Sequence, residues 1–201
     1  MEMKTMKTVL AAVVLFLGLG VSACGSNTTT PSGPLDKTAF GNKYKLAPNA
    51  VAGFQQDPTD PTGAYLTYTG DELVQSIDGA AGVYTEYGAR VEMYQSLVGP
   101  IPAGATDPEL ANFYAMDFVT DAKATAMVVW EQTQTNAAAT IPGYDPSVAV
   151  GYGSIGGLAV YAHFKATYIE LNLSGFGDQG STCSACPEAA KFLQVLSSKT
   201  N

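Results

Sequence analysis

The sequence predicts an α+β domain, a mainly antiparallel sheet with about three helices packed on it. Three observations lead there. Residues 89–97, 110–119 and 147–174 carry strand formers or alternate apolar with polar side chains, and Gly- and Pro-containing turns divide them. Residues 73–88 repeat apolar side chains at helical spacing, an Ala-rich run over 120–133 follows a capping residue, and Pro187 opens a third helix. The helices interleave with hairpins, a pattern that belongs to α+β rather than to a parallel α/β sheet.

Taken in order, residues 42–68 hold short apolar runs broken by Pro48, Pro58 and Pro61. They read as two short strands, 43–46 and 64–68, around an irregular loop. Thr69-Gly70-Asp71-Glu72 then starts a helix, its acidic pair in the first turn complementing the helix dipole. Leu73, Ile77, Ala80, Tyr84 and Tyr87 follow at helical spacing, and Gly88 ends the run as a C′ residue. Gly79 and Gly82 inside it cost about 1 kcal/mol each relative to Ala, so a neighbour passes close to that face or the helix bends there. In 89–97, Val91, Met93, Gln95 and Leu97 alternate with Arg90, Glu92, Tyr94 and Ser96. A Gly/Pro loop over 97–109 joins this strand to the next, 110–119. Thr120 or Asp121 caps a helix running to about Thr133 and carrying Trp130. Residues 134–146 read as loop, and 147–152, 157–164 and 167–174 as three more strands. Pro187 takes the N1 position of a last helix to about Ser197, with Ala190, Phe192, Leu193 and Leu196 facing the core.

Ahead of this domain lies an address. Lys4 and Lys7 form a basic start, and residues 8–21 (TVLAAVVLFLGLGV) are an apolar stretch of 14 residues. A bilayer span needs about 20, so this length suits the apolar segment of a signal peptide. It ends in Val21-Ser22-Ala23-Cys24, which resembles the lipobox of bacterial lipoproteins. That resemblance implies cleavage after residue 23 and acylation of Cys24, with palmitate-type chains holding the protein to a membrane. Gly25 rather than Asp follows the cysteine, which by the same resemblance implies the outer membrane in a Gram-negative envelope, facing the periplasm or the cell surface. Residues 25–34 (GSNTTTPSGP) lack any large apolar side chain and read as a flexible tether. The expected organisation is therefore a signal peptide over 1–23, a lipidated cysteine and tether over 24–34, and one domain over 35–201.

Composition removes several function classes. The chain has 201 residues, 46% apolar and 14% charged, with a formal net charge of −8. Removing residues 1–23 takes away Lys4, Lys7 and Glu2 and leaves 8 basic against 17 acidic residues, a net of −9. Such a domain repels the phosphate backbone, so no nucleic-acid partner is expected. With three Cys and one His, and Cys24 acylated, only Cys183, Cys186 and His163 remain as nitrogen or sulfur ligands. A zinc site of four cysteines, or of two cysteines and two histidines, cannot form from that set, and no metal or cofactor is expected.

The run from Leu46 to Tyr94 carries a further pattern. An apolar-Gly-aromatic step, Val51-Ala52-Gly53-Phe54, precedes an acidic and apolar helix. The helix contains Ile77-Asp78-Gly79-Ala80, then Tyr84, Tyr87 and Gly88. These residues resemble the signature of a family of exported bacterial proteins of unknown function. The resemblance implies an exported location and a fold, with no activity, cofactor or catalytic residue attached.

The motifs that could carry chemistry each have a structural alternative. Cys183-Ser184-Ala185-Cys186-Pro187 places a C-x-x-C at a helix start, where a thiol pKa falls and disulfide exchange is supported. The pair precedes the last helix and puts the second cysteine at the cap, so a structural disulfide is the favoured reading and an oxidoreductase the rival. Gly151-Tyr152-Gly153-Ser154-Ile155-Gly156 matches a dinucleotide fingerprint in letters. The segment after it reads as a hairpin rather than a helix, so a Gly-rich turn is expected and no dinucleotide. Ser154 lacks the preceding glycine of a nucleophile elbow, and His163 sits among strand residues, which favours a packed role. Asp78, Glu86, Glu92, Asp117 and Asp121 could pair for glycoside hydrolysis but read better as a solvated acidic face. Tyr84, Tyr87 and Tyr94 cluster around the signature helix and the strand after it; clusters of Tyr are common on binding surfaces. The sequence thus points to a cell-envelope lipoprotein carrying a non-catalytic binding or assembly module. A protein or polysaccharide of the envelope is its expected partner. Thiol–disulfide exchange and carbohydrate hydrolysis are the alternatives.

Overall fold

A computed structural model describes residues 36–59, 66–69, 73, 81–134, 138–154, 156–176 and 183–200. The signal segment, Cys24 and the tether lie outside these residues, as do Asp78, Gly79 and Ala80 of the signature.

The first element corrects an expectation. Residues 43–46 do not form a strand; Lys37–Tyr44 is a helix, α1. Asp36 caps it, its carboxylate accepting from the amides of Thr38 and Ala39 at 2.9 and 3.2 Å. Phe40 and Tyr44, one turn apart, pack their tilted rings with centroids 4.8 Å apart and bury that face. Leu46 beyond it has no strand partner among the described residues. The side-chain amide of Gln95 plays that part, donating to the Leu46 carbonyl at 3.1 Å and accepting from its amide at 2.9 Å.

The remaining elements are β1 (Gln55–Gln56), β2 (Leu66–Thr69), α2 (Ala81–Tyr87), β3 (Val91–Val98), β4 (Leu110–Asp117) and α3 (Asp121–Gln134). After them come β5 (Ala138–Thr140), β6 (Ala149–Ser154), β7 (Gly157–Phe164), β8 (Thr167–Ser174) and α4 (Cys186–Ser198). Four helices are thus described where about three were expected, the addition being α1. Strand β5 lies inside the segment expected to be loop. Its residues are small, and its pairing with Tyr152, Gly151 and Val150 of β6 makes it a strand.

All described strands join one antiparallel sheet in the order β1-β3-β4-β8-β7-β6-β5, with β2 also on β3. Strands β1 and β2 share the outer edge of β3, one against Leu97 and Val98, the other against residues 91–94. The class is α+β, as the sequence predicts. Alternation sends Met93, Phe113, Leu171 and Val160 to one face, where α1 and α4 cover them and Phe54 meets Phe192 edge to face at 4.9 Å. The opposite face carries Met116, Tyr168 and Val150, packed against Ala124, Met127 and Val128 of α3 and Tyr84 of α2. The sheet is therefore the middle of three layers, and its second face is the one on which polar groups collect.

Candidate binding site

That second face is built from rows that cross the sheet. Register places Tyr94, Tyr114, Glu170 and Tyr161 in one row, and Ser96, Asn112, Asn172, Ala159 and Tyr152 in the next. Read along one strand, Tyr168, Glu170, Asn172 and Ser174 are merely the polar half of an alternation. Read across the sheet they become a surface.

Two carboxylates meet on it. Glu131 of α3 is only 6% exposed. Its Oε1 accepts from the hydroxyls of Tyr84 and Tyr168 at 3.3 and 3.2 Å. The Tyr84 hydroxyl also lies 3.0 Å from Oε2 of Glu170, so one O–H bridges two acids. Asn172 donates its side-chain amide to Oε1 of Glu170 at 3.0 Å. The chain of contacts therefore runs Glu131, Tyr84, Glu170, Asn172, from beneath a helix out along a strand. Burial pushes the Glu131 carboxyl up to about 7, and the nearby Glu170 charge adds to it. Burial and the same acids hold the phenols of Tyr84, Tyr161 and Tyr168 far above their ordinary range, so all three stay protonated.

This network was not among the sequence expectations. Its signal lay in α3, where Glu131 takes the position three and seven residues after Val128 and Ala124, in line with the buried stripe. An acid on an apolar stripe has to find donors, and two tyrosines supply them.

Beyond the network, at the Asn172 end, the face holds a shallow cavity of about 270 Å³. Asn112, Asn172, Ala159 and Ser174 line it together with the backbone around Gly156 and Gly157. In the neighbouring row the Tyr94 and Tyr114 rings lie with centroids 5.0 Å apart, and the Tyr94 hydroxyl approaches Oδ1 of Asn112 at 3.4 Å.

The sequence-predicted residues fall in several places. Cys183 and Cys186 are joined in a disulfide with Cα atoms 5.4 Å apart, closing a tight turn at the start of α4. Cys186 is buried at 3% exposure; it is the first residue of the helix rather than its cap, which is Ala185, so Pro187 falls one place later than expected. Tyr84 and Tyr87 lie on α2, Tyr84 buried in the acid network and Tyr87 half-buried at its rim. Gly88 ends α2 with φ +95°, and a Cβ there would come within 2.6 Å of the Lys123 amine. The Gly151–Gly156 motif spans β6 and the turn into β7, so a strand follows it, not a helix. His163 on β7 donates Nε2–H to the backbone carbonyl of Ser147 at 3.1 Å, while the Ser147 hydroxyl donates to Asp145 at 2.6 Å. No serine hydroxyl therefore meets that imidazole among the described residues.

The acidic-face reading needs correction. Glu92 is fully buried, because register sets it in the row of Met116 and Tyr168 beneath the helices. Asp117 is ion-paired with Arg90 at 2.6 Å and also accepts from the Val119 amide. Glu86 and Asp121 are exposed, on different helices. Among the described residues no group of three or more His, Cys, Asp or Glu is placed to hold a metal, and no helix is long and apolar enough to cross a membrane.

No protein-family model and no curated protein matches the chain. Its fold is similar to that in a crystal structure of the extracellular domain of PknH from Mycobacterium tuberculosis. The TM-score is 0.52 with 15% sequence identity over 84% of this chain and 98% of that one. At that identity the likeness concerns the fold.

Proposed function

We propose that this chain is an exported, lipid-anchored module that binds a ligand on the second face of its sheet and performs no catalysis. The observation that carries this reading is the polar row at the cavity. Asn112 and Asn172 stand on adjacent interior strands, and Asn172 is held in place by an acid that is itself fixed from the core. Positioned polar groups in a concavity are the features of a binding site. Export is supported by the signal-like N-terminus and by the use of this fold in an extracellular domain. Residues 25–34 would supply the reach between Cys24 and the domain.

The rival readings have less behind them. A thiol–disulfide oxidoreductase must present a sulfur to its partner; Cys186 is buried, which leaves only the half-buried Cys183 for that part. A glycosidase needs two carboxylates across a cleft. Glu131 lies under Tyr84, and Arg90 neutralises Asp117.

Two experiments test the proposal. Cys24→Ala is expected to release the exported protein from the membrane fraction, and wild-type fractionation of that variant would refute the anchor. Amide NMR of the wild-type mature chain in detergent, titrated with cell-envelope extract, should move resonances at residues 94–96, 112, 159 and 172. Shifts confined to the α4 face would refute the assignment of the binding face. A reduction potential for Cys183–Cys186 below about −300 mV would mark a structural pair, and one near −200 mV with fast exchange would favour the oxidoreductase.

A further inference from the structure

Resting on the binding-module reading, we infer that the cavity beside Asn112 and Asn172 takes a neutral, polyhydroxylated ligand, one ring-sized unit of an oligosaccharide.

Charge comes first. None of the described residues lining the cavity is ionisable. The acid adjoining it, Glu170, already spends both oxygens inside the protein, Oε1 on Asn172 and Oε2 on Tyr84. It therefore offers little to a cation. Anions meet a chain whose formal net charge is −8. A neutral ligand is what remains.

Hydrogen-bonding capacity comes next. A carboxyl oxygen facing Asn172 fixes the orientation of that amide, because only its NH2 can donate there. The Asn172 carbonyl is thereby turned away from Glu170. Asn112 stands directly opposite on β4, and the Ser174 hydroxyl lies two residues along β8. Amide donors, an amide acceptor and a hydroxyl within one small concavity match adjacent ligand hydroxyls, each of which both gives and takes a hydrogen bond. One row away on the same face, Tyr94 reaches the edge of this group through its hydroxyl, 3.4 Å from Oδ1 of Asn112.

The backbone argues against a peptide. Extended peptides dock by adding to a free strand edge. Strands β4, β8 and β7 are interior, each paired on both sides, so their ladder groups are already used. Apart from the turn backbone at Gly156 and Gly157, a ligand there meets side chains on the face. At about 270 Å³ the space sits just under the range of about 300–1,000 Å³ usual for whole small-molecule ligands, which suits one unit of a longer chain.

The test uses the full mature protein in detergent with selective labelling of asparagine side-chain amides. The probes are neutral gluco-, manno- and galacto-oligosaccharides of three to six units, an acidic oligogalacturonide, a neutral tetrapeptide amide and an oligolysine. At least one neutral oligosaccharide should shift the Asn112 and Asn172 side-chain signals. Asn112→Ala should weaken that binding at least tenfold. Ala159→Phe, which fills the cavity from a half-exposed position, should abolish it while leaving the remaining spectrum folded. Preferential response to the acidic sugar, the peptide or the oligolysine would overturn the ligand class. Silence toward every saccharide, with envelope extract still moving these signals, would overturn the ligand class and leave the binding module standing. Silence toward both would overturn both.

Discussion

Burial beneath the helix, with Glu170 nearby, favours the neutral form of the Glu131 carboxyl against the pull of its tyrosine donors, and this couples the stability of the fold to pH. Its pKa stands at about 7 in the folded chain against an ordinary 4.5. Between those values the folded state holds a proton that the unfolded state has released, so stability falls as pH rises through the window and levels off above it. The loss expected from this one group is on the order of 3 kcal/mol. Thermal unfolding at pH 5 and pH 8 checks it. Glu131→Gln, which keeps an oxygen for Tyr84 and Tyr168, should flatten the difference, and an unaltered pH dependence in that variant would refute the assignment. A second residue carries strain of another kind. Val119 has φ +68°, a region that a β-branched side chain rarely enters, at the step between β4 and α3. Val119→Gly should raise stability by about 1 kcal/mol, measured by urea unfolding, because the left-handed turn then costs no Cβ clash. A loss larger than that would mean that contacts of the half-buried valine side chain outweigh the backbone relief.

Helix α4 enters the molecule through the Cys183–Cys186 disulfide and is held by Phe192, Leu193 and Leu196 in the core. The small loop closed by that disulfide limits its worth to about 2 kcal/mol, so Cys186→Ala is expected to lower the melting temperature without unfolding the chain. An unchanged melting temperature in oxidised protein would contradict a structural role. At the other end Tyr44 of α1 shares a buried hydrogen bond of 2.7 Å with the Thr167 hydroxyl of β8. Tyr44→Phe should cost about 1 kcal/mol in chemical unfolding, since Thr167 is then left buried with one fewer partner. These two helices also show what the sequence could convey. Strands β3, β4, β6, β7 and β8 were legible because alternation sustained over six to eight residues has one good interpretation. Helix α3 was legible from its capping residues and its alanines, and α4 from Pro187 and its apolar stripe. Helix α1 was not, because eight residues with Gly41 and Asn42 inside carry almost no amphipathic signal, and Asp36 alone marks the start. Strand β5 was hidden by its alanines. The acid network was hidden for a deeper reason. Glu131, Tyr84 and Glu170 lie up to 86 residues apart, and only the helix–sheet packing makes them neighbours.

At the scale of the whole molecule, the sheet separates two chemistries. Its first face is an apolar core under α1 and α4, and its second grades from an apolar floor under α3 to polar rows at the cavity end. The C-terminal turn locks onto the N-terminal helix, with Lys199 donating to the carbonyls of Lys43 and Lys45 at 3.0 Å each. Among the described residues the margins of the sheet are short. The described strands there are β1 and β2 at two and four residues on one side and β5 at three on the other. Copies anchored in a membrane would share a thin layer at high effective concentration, where long bare strand edges would zip neighbouring molecules together. Edges of this length give a neighbour little to extend, so such a layer can be dense and still consist of separate molecules.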